Sequence, residues 1–387
     1  LREWAMNASL DIRNGLLYTP YFPLKTSISD VRFNADNNRV ALDNITVNSG
    51  GSDISARGEV TNIRPAMMGR APLKRNLKVT SEQIDANELL TAYSAGMNYR
   101  PETAAVGDAS TENISEFIAQ AENTVSEVAD TSLSLIVIPA NIEANISLEA
   151  NDIDYSDLCI DWMASDIVMR NRCLQVTNTV ATSNMGDIYF EGFYSTRSKD
   201  DIKTGFDLNL ADITADKVVQ LFPVVDTIMP MLTSFKGHLD CEMAATTDLD
   251  TNMVILTPTM NGVIKIKGRD VSVEDSPEFR KLARTLMFKD KKIGKVADMS
   301  VSGIVSDNRL EIFPFVLKVD RYTMAMSGLQ DFDQSFRYHV SVLKSPLPFR
   351  FGINLYGNFD KWKFKIGKAK YKNTNVPVFT AVIDTTK

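Results

Sequence analysis

The chain has 387 residues, of which 44% are hydrophobic and 24% charged, and its formal net charge is −7. That composition supplies a sizeable core for roughly two or three domains and excludes a disordered chain. The acidic balance argues against a broad nucleic-acid footprint, no apolar window approaches the roughly 18 residues of a bilayer-spanning helix, and three cysteines are too few for a disulfide scaffold.

Taken in chain order, residues 1–62 form a first β unit. It carries the motif Asn38-Arg39-Val40-Ala41-Leu42, followed by Gly58. Apolar positions alternate and polar turns such as Asn37-Asn38 and Ser49-Gly50-Gly51 separate the runs, which predicts half-buried strands joined as hairpins. Parity changes after Leu42, where Ile45 and Val47 continue the apolar face, so a bulge or bend is expected at Asn44. The chain opens at Leu1 rather than Met and in mid-pattern, which reads as a mature or trimmed fragment and leaves open a missing N-terminal anchor or signal.

Residues 63–131 read as a strand, a short helix, a flexible loop and an acidic helical insert. Asp85 is placed to cap the helix that opens at Ala86. In the insert, Ile114, Phe117, Ile118, Ala121, Val125 and Val128 share a helical face, for packing on the sheet or for service as a lid or partner helix.

Residues 132–235 form a second β unit with capping helices. Run 142–148 alternates cleanly, and the motif recurs as Arg172-Cys173-Leu174-Gln175-Val176 with Gly192. Asn178 stands at the place of Asn44, without a clear change of parity. Ile213-Thr214-Ala215-Asp216 echoes the helix start at Asp85, and the proline-broken run from Phe222 to Phe235 reads as two short helices that plug or cap a sheet.

Residues 236–372 form a third β unit, with Asn308-Arg309-Leu310-Glu311-Ile312 and Gly328, a bend expected at Pro314 and a helix start at Ser276-Pro277. Residues 373–387 are a C-terminal tail. The three motifs lie 134 and 136 residues apart, and each glycine follows its reference position by 19 residues. A spacing this long implies a many-stranded module used three times. The fold class expected is therefore mainly β: repeated antiparallel units forming a long curled sheet, a β-groove, with a few short helices packed on or capping it.

Chemistry is sparse in this pattern. His238 and His339 have no histidine or cysteine at ligand spacing, and no phosphate loop or Gly-x-Ser-x-Gly elbow occurs. Asp152, Asp154 and Asp157 cluster without the glycine and glutamate of a calcium loop. Cys159 and Cys173 would pair only if their strands were neighbours in the right register, which leaves the redox compartment open. The 16 methionines suit either core filling or an adaptable greasy surface. No catalytic residue, metal ligand or cofactor is nominated, and the chain is read as non-enzymatic.

The run from Ile213 to Lys217, Leu221-Phe222-Pro223, Met229-Pro230, the strand from Gly237, Phe288, Asp307 to Leu310 and Gly328-Leu329 together resemble the C-terminal region of AsmA-like proteins. Ile138-Pro139-Ala140-Asn141-Ile142 with Asp154-Tyr155 looks like that family's strand entry, whereas residues 97–131 look like an insert. The resemblance implies a Gram-negative envelope protein, periplasmic and held in the inner membrane by an N-terminal helix. It also implies relatives among TamB-like and bridge-type lipid-transfer proteins, an apolar trough for phospholipid or other acyl chains, and ties to outer-membrane assembly and other envelope proteins. It brings no catalytic residues.

Read from the residues alone, a curled sheet with few covering helices leaves a large apolar patch of the kind that meets lipid, membrane or protein. One acyl chain of about 16 carbons buried there is worth on the order of 10 kcal/mol. The candidate face is Val40, Leu42, Leu174, Val176, Leu310 and Ile312, with a sealed core as the alternative for each. Two rival functions stand beside lipid handling: an envelope interaction scaffold without cargo, and a carbohydrate-binding β protein, for which Trp4, Trp162 and Trp362 are thinly spread.

Overall fold

A computed structural model describes residues 7–98, 135–198, 200–214, 217, 235–273, 299–319, 321–358 and 361–377. The acidic helical insert, the helices expected from Phe222 to Phe235 and the one at Ser276 fall outside the described residues. Among the described residues the chain is mainly β, with 19 strands in one sheet and two short helices. By compactness it divides into two units, the first made of Leu1–Asn184, Phe193–Lys203 and Leu249–Ile255, the second of Met185–Gly192, Thr204–Asp248 and Leu256–Lys387. Each is described by itself.

In the first unit, β1 (Ala8–Thr19), β2 (Phe22–Ala35), β3 (Arg39–Ser49), β4 (Ser52–Thr61) and β5 (Leu73–Ser81) follow one another as an antiparallel meander. A one-turn helix, α1 (Ile63–Met67), links β4 to β5. The chain then passes through the short β6 (Ile84–Asp85) and α2 (Ala86–Asn98) before β7 (Ile142–Tyr155), β8 (Leu158–Arg170) and β9 (Cys173–Ser183). One local pairing departs from the antiparallel units expected: β5 and β6 both pair with β7 in parallel, so the sheet is mixed. The reason is physical. Parallel neighbours need a long crossover, and the helix-bearing stretch between β5 and β7 supplies it.

α2 starts where the sequence places it. The Glu88 N–H donates to Asp85 Oδ1 at 3.0 Å, the side-chain cap expected of an aspartate there. The Glu88 carboxylate in turn accepts from the Gly51 N–H at 2.8 Å in the β3–β4 turn, and the Asn87 side-chain Oδ1 accepts from the Ser156 N–H at 2.9 Å in the β7–β8 turn. The helix packs on both β2 and β7, although β3, β4 and β5 lie between them, so it bridges one end of this unit's sheet. On its inner face Ala92 is buried, and Gly96 lies so close to the Tyr21 carbonyl that no β-carbon would fit.

β10 (Gly186–Ser198) and β11 (Asp201–Thr214) come next in the chain, and the second unit continues with β12 (Phe235–Asp248), β13 (Asn261–Val273), β14 (Met299–Ser306), β15 (Arg309–Val319), β16 (Tyr322–Asp331), β17 (Ser335–Lys344), β18 (Phe351–Asn358) and β19 (Trp362–Gly367). From β12 onward every strand pairs antiparallel with the next. Its core holds Leu239, Ile266, Leu310, Val340, Val342 and Ile353.

The three motif copies have the same local structure. Arg39, Cys173 and Arg309 each begin a strand. Leu42 pairs with Gly58 and Ile312 with Gly328, so in the first and third copies the glycine sits directly across the hairpin from the motif's last apolar residue. Register breaks between Leu42 and Ile45, and again between Ile312 and Phe315, at the bends expected for Asn44 and Pro314. The second copy has the bulge too: Asp166 pairs with Thr177 but Ala164 with Val180, and Asn178 takes the left-handed conformation at φ 52°. Asparagine tolerates that conformation, which is why a bulge formed there without a readable parity signal. Two copies are entered through turns with consecutive positive φ, Asn171-Arg172 (53° and 60°) and Asp307-Asn308 (50° and 58°). That pattern matches the right-handed twist of hairpin strands.

Candidate functional site

Strand registry turns the alternating residues into continuous rows. In the first unit one row runs Leu10, Phe33, Leu42, Gly58, Leu77, Ile146, Ile167, Val176 across eight strands. The adjacent row runs Ala8, Ala35, Val40, Val60, Arg75, Ala144, Met169, Leu174. Beyond the bulges a third continues with Ile12, Val31, Ile45, Ala56, Val79 and Leu148. At about 4.8 Å between strands, a row of eight measures roughly 34 Å along the sheet. The bulges are what keep Ile45 on the same face as Leu42, since an unbroken strand would turn it over.

Four of the six candidate residues, Val40, Leu42, Leu174 and Val176, therefore share one face of the first unit, in two adjacent rows. All four are half-buried. Phe33, Leu77, Ile146 and Ile167 share their row and were not nominated from the sequence, although their alternation carried the signal. The face is not wholly apolar. Arg75 stands in it between Val60 and Ala144, half-buried.

The opposite face of these strands is polar. Arg39 pairs with Glu59 at 2.8 Å, Lys78 lies 3.5 Å from Glu149, and the Asn178 and Ser147 side chains donate to Asp166. Such exposed pairs add little stability, but they show which face meets water.

Leu310 and Ile312 lie in the second unit. The row of Ile312 runs Met243, Ile264, Gly303, Ile312, Gly328, Tyr338, Leu355, Phe364, and that of Leu310 runs Ala245, Gly262, Val305, Leu310, Gln330, Phe336, Gly357, Trp362. Ile312 is half-buried, whereas Leu310 is 1% exposed and belongs to the packed core. Beside it Gln330 is fully buried and satisfied: its carbonyl accepts from the Tyr338 hydroxyl at 2.9 Å and its amide donates to the Asp331 carbonyl at 3.2 Å. Burial drives the Tyr338 phenol well above its ordinary pKa, so it stays a hydrogen-bond donor.

The remaining sequence candidates are dispersed. His238 Nδ1 faces Asp212 at 3.0 Å. His339 Nε2 lies 3.2 Å from the Lys370 N–H and its Nδ1 2.8 Å from Asn354 Oδ1. Cys159, Cys173 and Cys241 are all free thiols. Cys159, second in β8, stands opposite Asp154, and Cys173 opens β9 opposite Arg170 at the far end of β8, so the two do not meet. Among the described residues no group of three or more His, Cys, Asp or Glu side chains is placed to hold a metal ion, and no helix is long and apolar enough to cross a membrane. Comparison with family models, curated proteins and solved structures returns no match.

Proposed function

We propose that this is a non-enzymatic β-groove protein that holds acyl chains of lipid along the apolar face of its first unit. The observation that carries this reading is the set of rows: apolar residues aligned across eight strands, most of them half-buried, with Ala8 and Leu10 exposed and Ala144 alone buried, and not sealed as a core is. The hydrocarbon core of a bilayer, two chains thick, is about 30 Å, so a row of this length accommodates one extended chain with room to spare. Arg75, the one cation within those rows, suits an anionic headgroup, and α2 supplies a stop at one end of the sheet. The periplasmic, AsmA-like assignment, with roles in lipid transport or outer-membrane assembly, rests on the residue pattern from Ile213 to Gly328.

Native mass spectrometry and organic extraction of the purified full chain test the proposal. Phospholipid is expected to co-purify and to be lost in Leu42→Asp and Ile146→Asp variants, with Arg75→Gln shifting the bound mixture towards neutral lipids. A folded protein from which no lipid is ever recovered sinks it. The packed state of the second unit's face, with Leu310, Gln330 and Ile353 at 1%, 0% and 0% exposure, favours a second reading for that unit: an interaction scaffold without cargo. Pull-down of envelope proteins by the lipid-free variants would support it.

A further inference from the structure

The C-terminal part of the second unit is unlike the rest of the chain. Residues 344–372 hold eight cations, Lys344, Arg350, Lys361, Lys363, Lys365, Lys368, Lys370 and Lys372, against one acid, Asp360, in a chain of net charge −7. All eight are exposed, and among the described residues none takes part in an ion pair. A bulky apolar group lies among them. Phe349 is 60% exposed, Ile366 58%, Phe364 45% and Leu347 39%.

Geometry gathers those at one end of β18, whereas Lys361, Lys363 and Phe364 lie toward its other end, where Leu355 pairs with Phe364 and Tyr356 with Lys363. Loop 345–350 joins β17 to β18 and carries Leu347 and Phe349 between Lys344 and Arg350, with the Phe349 and Phe351 rings 6.2 Å apart. At the same end of β18, Gly352 pairs with Gly367, which brings Ile366 and Lys368 beside the loop. The segment after β19 folds back rather than straying. The Arg350 guanidinium donates to the Lys372 carbonyl at 2.5 Å, the Lys370 and Tyr371 N–H groups donate to Ser341 Oγ at 2.9 and 3.0 Å, and the Tyr371 hydroxyl bonds to Ser327 Oγ at 2.8 Å. Lys368, Lys370 and Lys372 are thus held in place around a greasy tip. Exposed aromatic and aliphatic side chains collared by fixed cations match the two signals that stable peripheral attachment requires, apolar insertion and attraction to anionic headgroups.

We propose that loop 345–350 and the pinned segment 368–372 form a docking tip for an anionic lipid bilayer, Leu347 and Phe349 entering the interface and the surrounding lysines and arginine meeting the headgroups. This surface is separate from the apolar rows of the first unit and needs no cargo there. The charge excess decides against a neutral bilayer or an acid-free apolar partner.

Vesicle co-sedimentation of the full chain tests it, with pure phosphatidylcholine vesicles against vesicles containing about a third phosphatidylglycerol. Binding to the second kind alone is expected, falling steeply as salt rises. Leu347→Ser with Phe349→Ser should weaken it at least about tenfold, and so should Lys368→Glu with Lys370→Glu and Lys372→Glu, while lysine-to-arginine exchanges preserve it. These side chains are exposed, so circular dichroism should be unchanged. Equal binding to both vesicles, or undiminished binding by either variant, overturns the proposal. Polyglutamate bound where anionic vesicles are not would assign the tip to an acidic protein and overturn it too. Co-purified lipid that survives in the tip variants separates failure here from failure of the groove.

Discussion

A β-carbon at Gly328 would lie 1.9 Å from the Tyr338 ring, which occupies the space that the glycine leaves. That ring also supplies the hydroxyl that satisfies buried Gln330. Gly328→Ala must therefore push Tyr338 off a hydrogen bond as well as out of a packed site. Overpacking of this kind costs about 1–3 kcal/mol, and an orphaned buried amide adds a similar amount. Urea unfolding should show the loss, and Gly328→Ala combined with Tyr338→Leu should recover less than half of it, because the Gln330 side-chain oxygen loses the Tyr338 hydroxyl that it accepts from. From the sequence the glycine was legible as a recurrent position, but its reason was not: the tyrosine that needs the space is ten residues away and meets it only through strand registry.

At the level of elements, the hairpins and the α2 cap were readable because they are local. Alternation, turn residues and an aspartate before a helix act within a few positions. The parallel β5–β7 pair was not readable, since nothing within β5 states that its partner lies beyond a crossover. Nor was the bulge at Asn178, where a left-handed asparagine resets the register without disturbing the apolar count. The α2 cap makes a sharp prediction. Asp85→Ala should lower stability by about 1 kcal/mol and, because Glu88 also holds the Gly51 N–H, speed amide exchange in the β3–β4 turn, while Asp85→Asn should retain most of the effect. Unchanged exchange at Gly51 would mean that the helix does not hold that turn.

Taken whole, the molecule contains its own reporters of opening, three thiols of graded access. Cys159 is exposed, Cys173 half-buried and Cys241 buried, and burial pushes the Cys241 thiol up to about 12. The Asp154 hydrogen bond raises that of Cys159, and partial burial that of Cys173. Since the thiolate is the reactive form, maleimide should modify Cys159 first, Cys173 later and Cys241 only when the second unit opens. Gly328→Ala should then hasten labelling of Cys241 and leave that of Cys173 unchanged. Equal acceleration at both thiols would show that the two units open together. The candidate face was partly legible at this scale. The motif pointed to Leu42 and Val176, and registry placed them in one row with five side chains that no single window of sequence connects to them.

One consequence follows from the way the rows are assembled. Within the first unit's meander each strand is bonded to its neighbours in the chain, and the motif recurs as a bulged hairpin. Copying one such hairpin in tandem would lengthen a row by about 10 Å without altering a residue already present. Reach in this architecture is set by gene duplication, and affinity by point substitution, so selection can adjust how far the protein extends independently of what it grips.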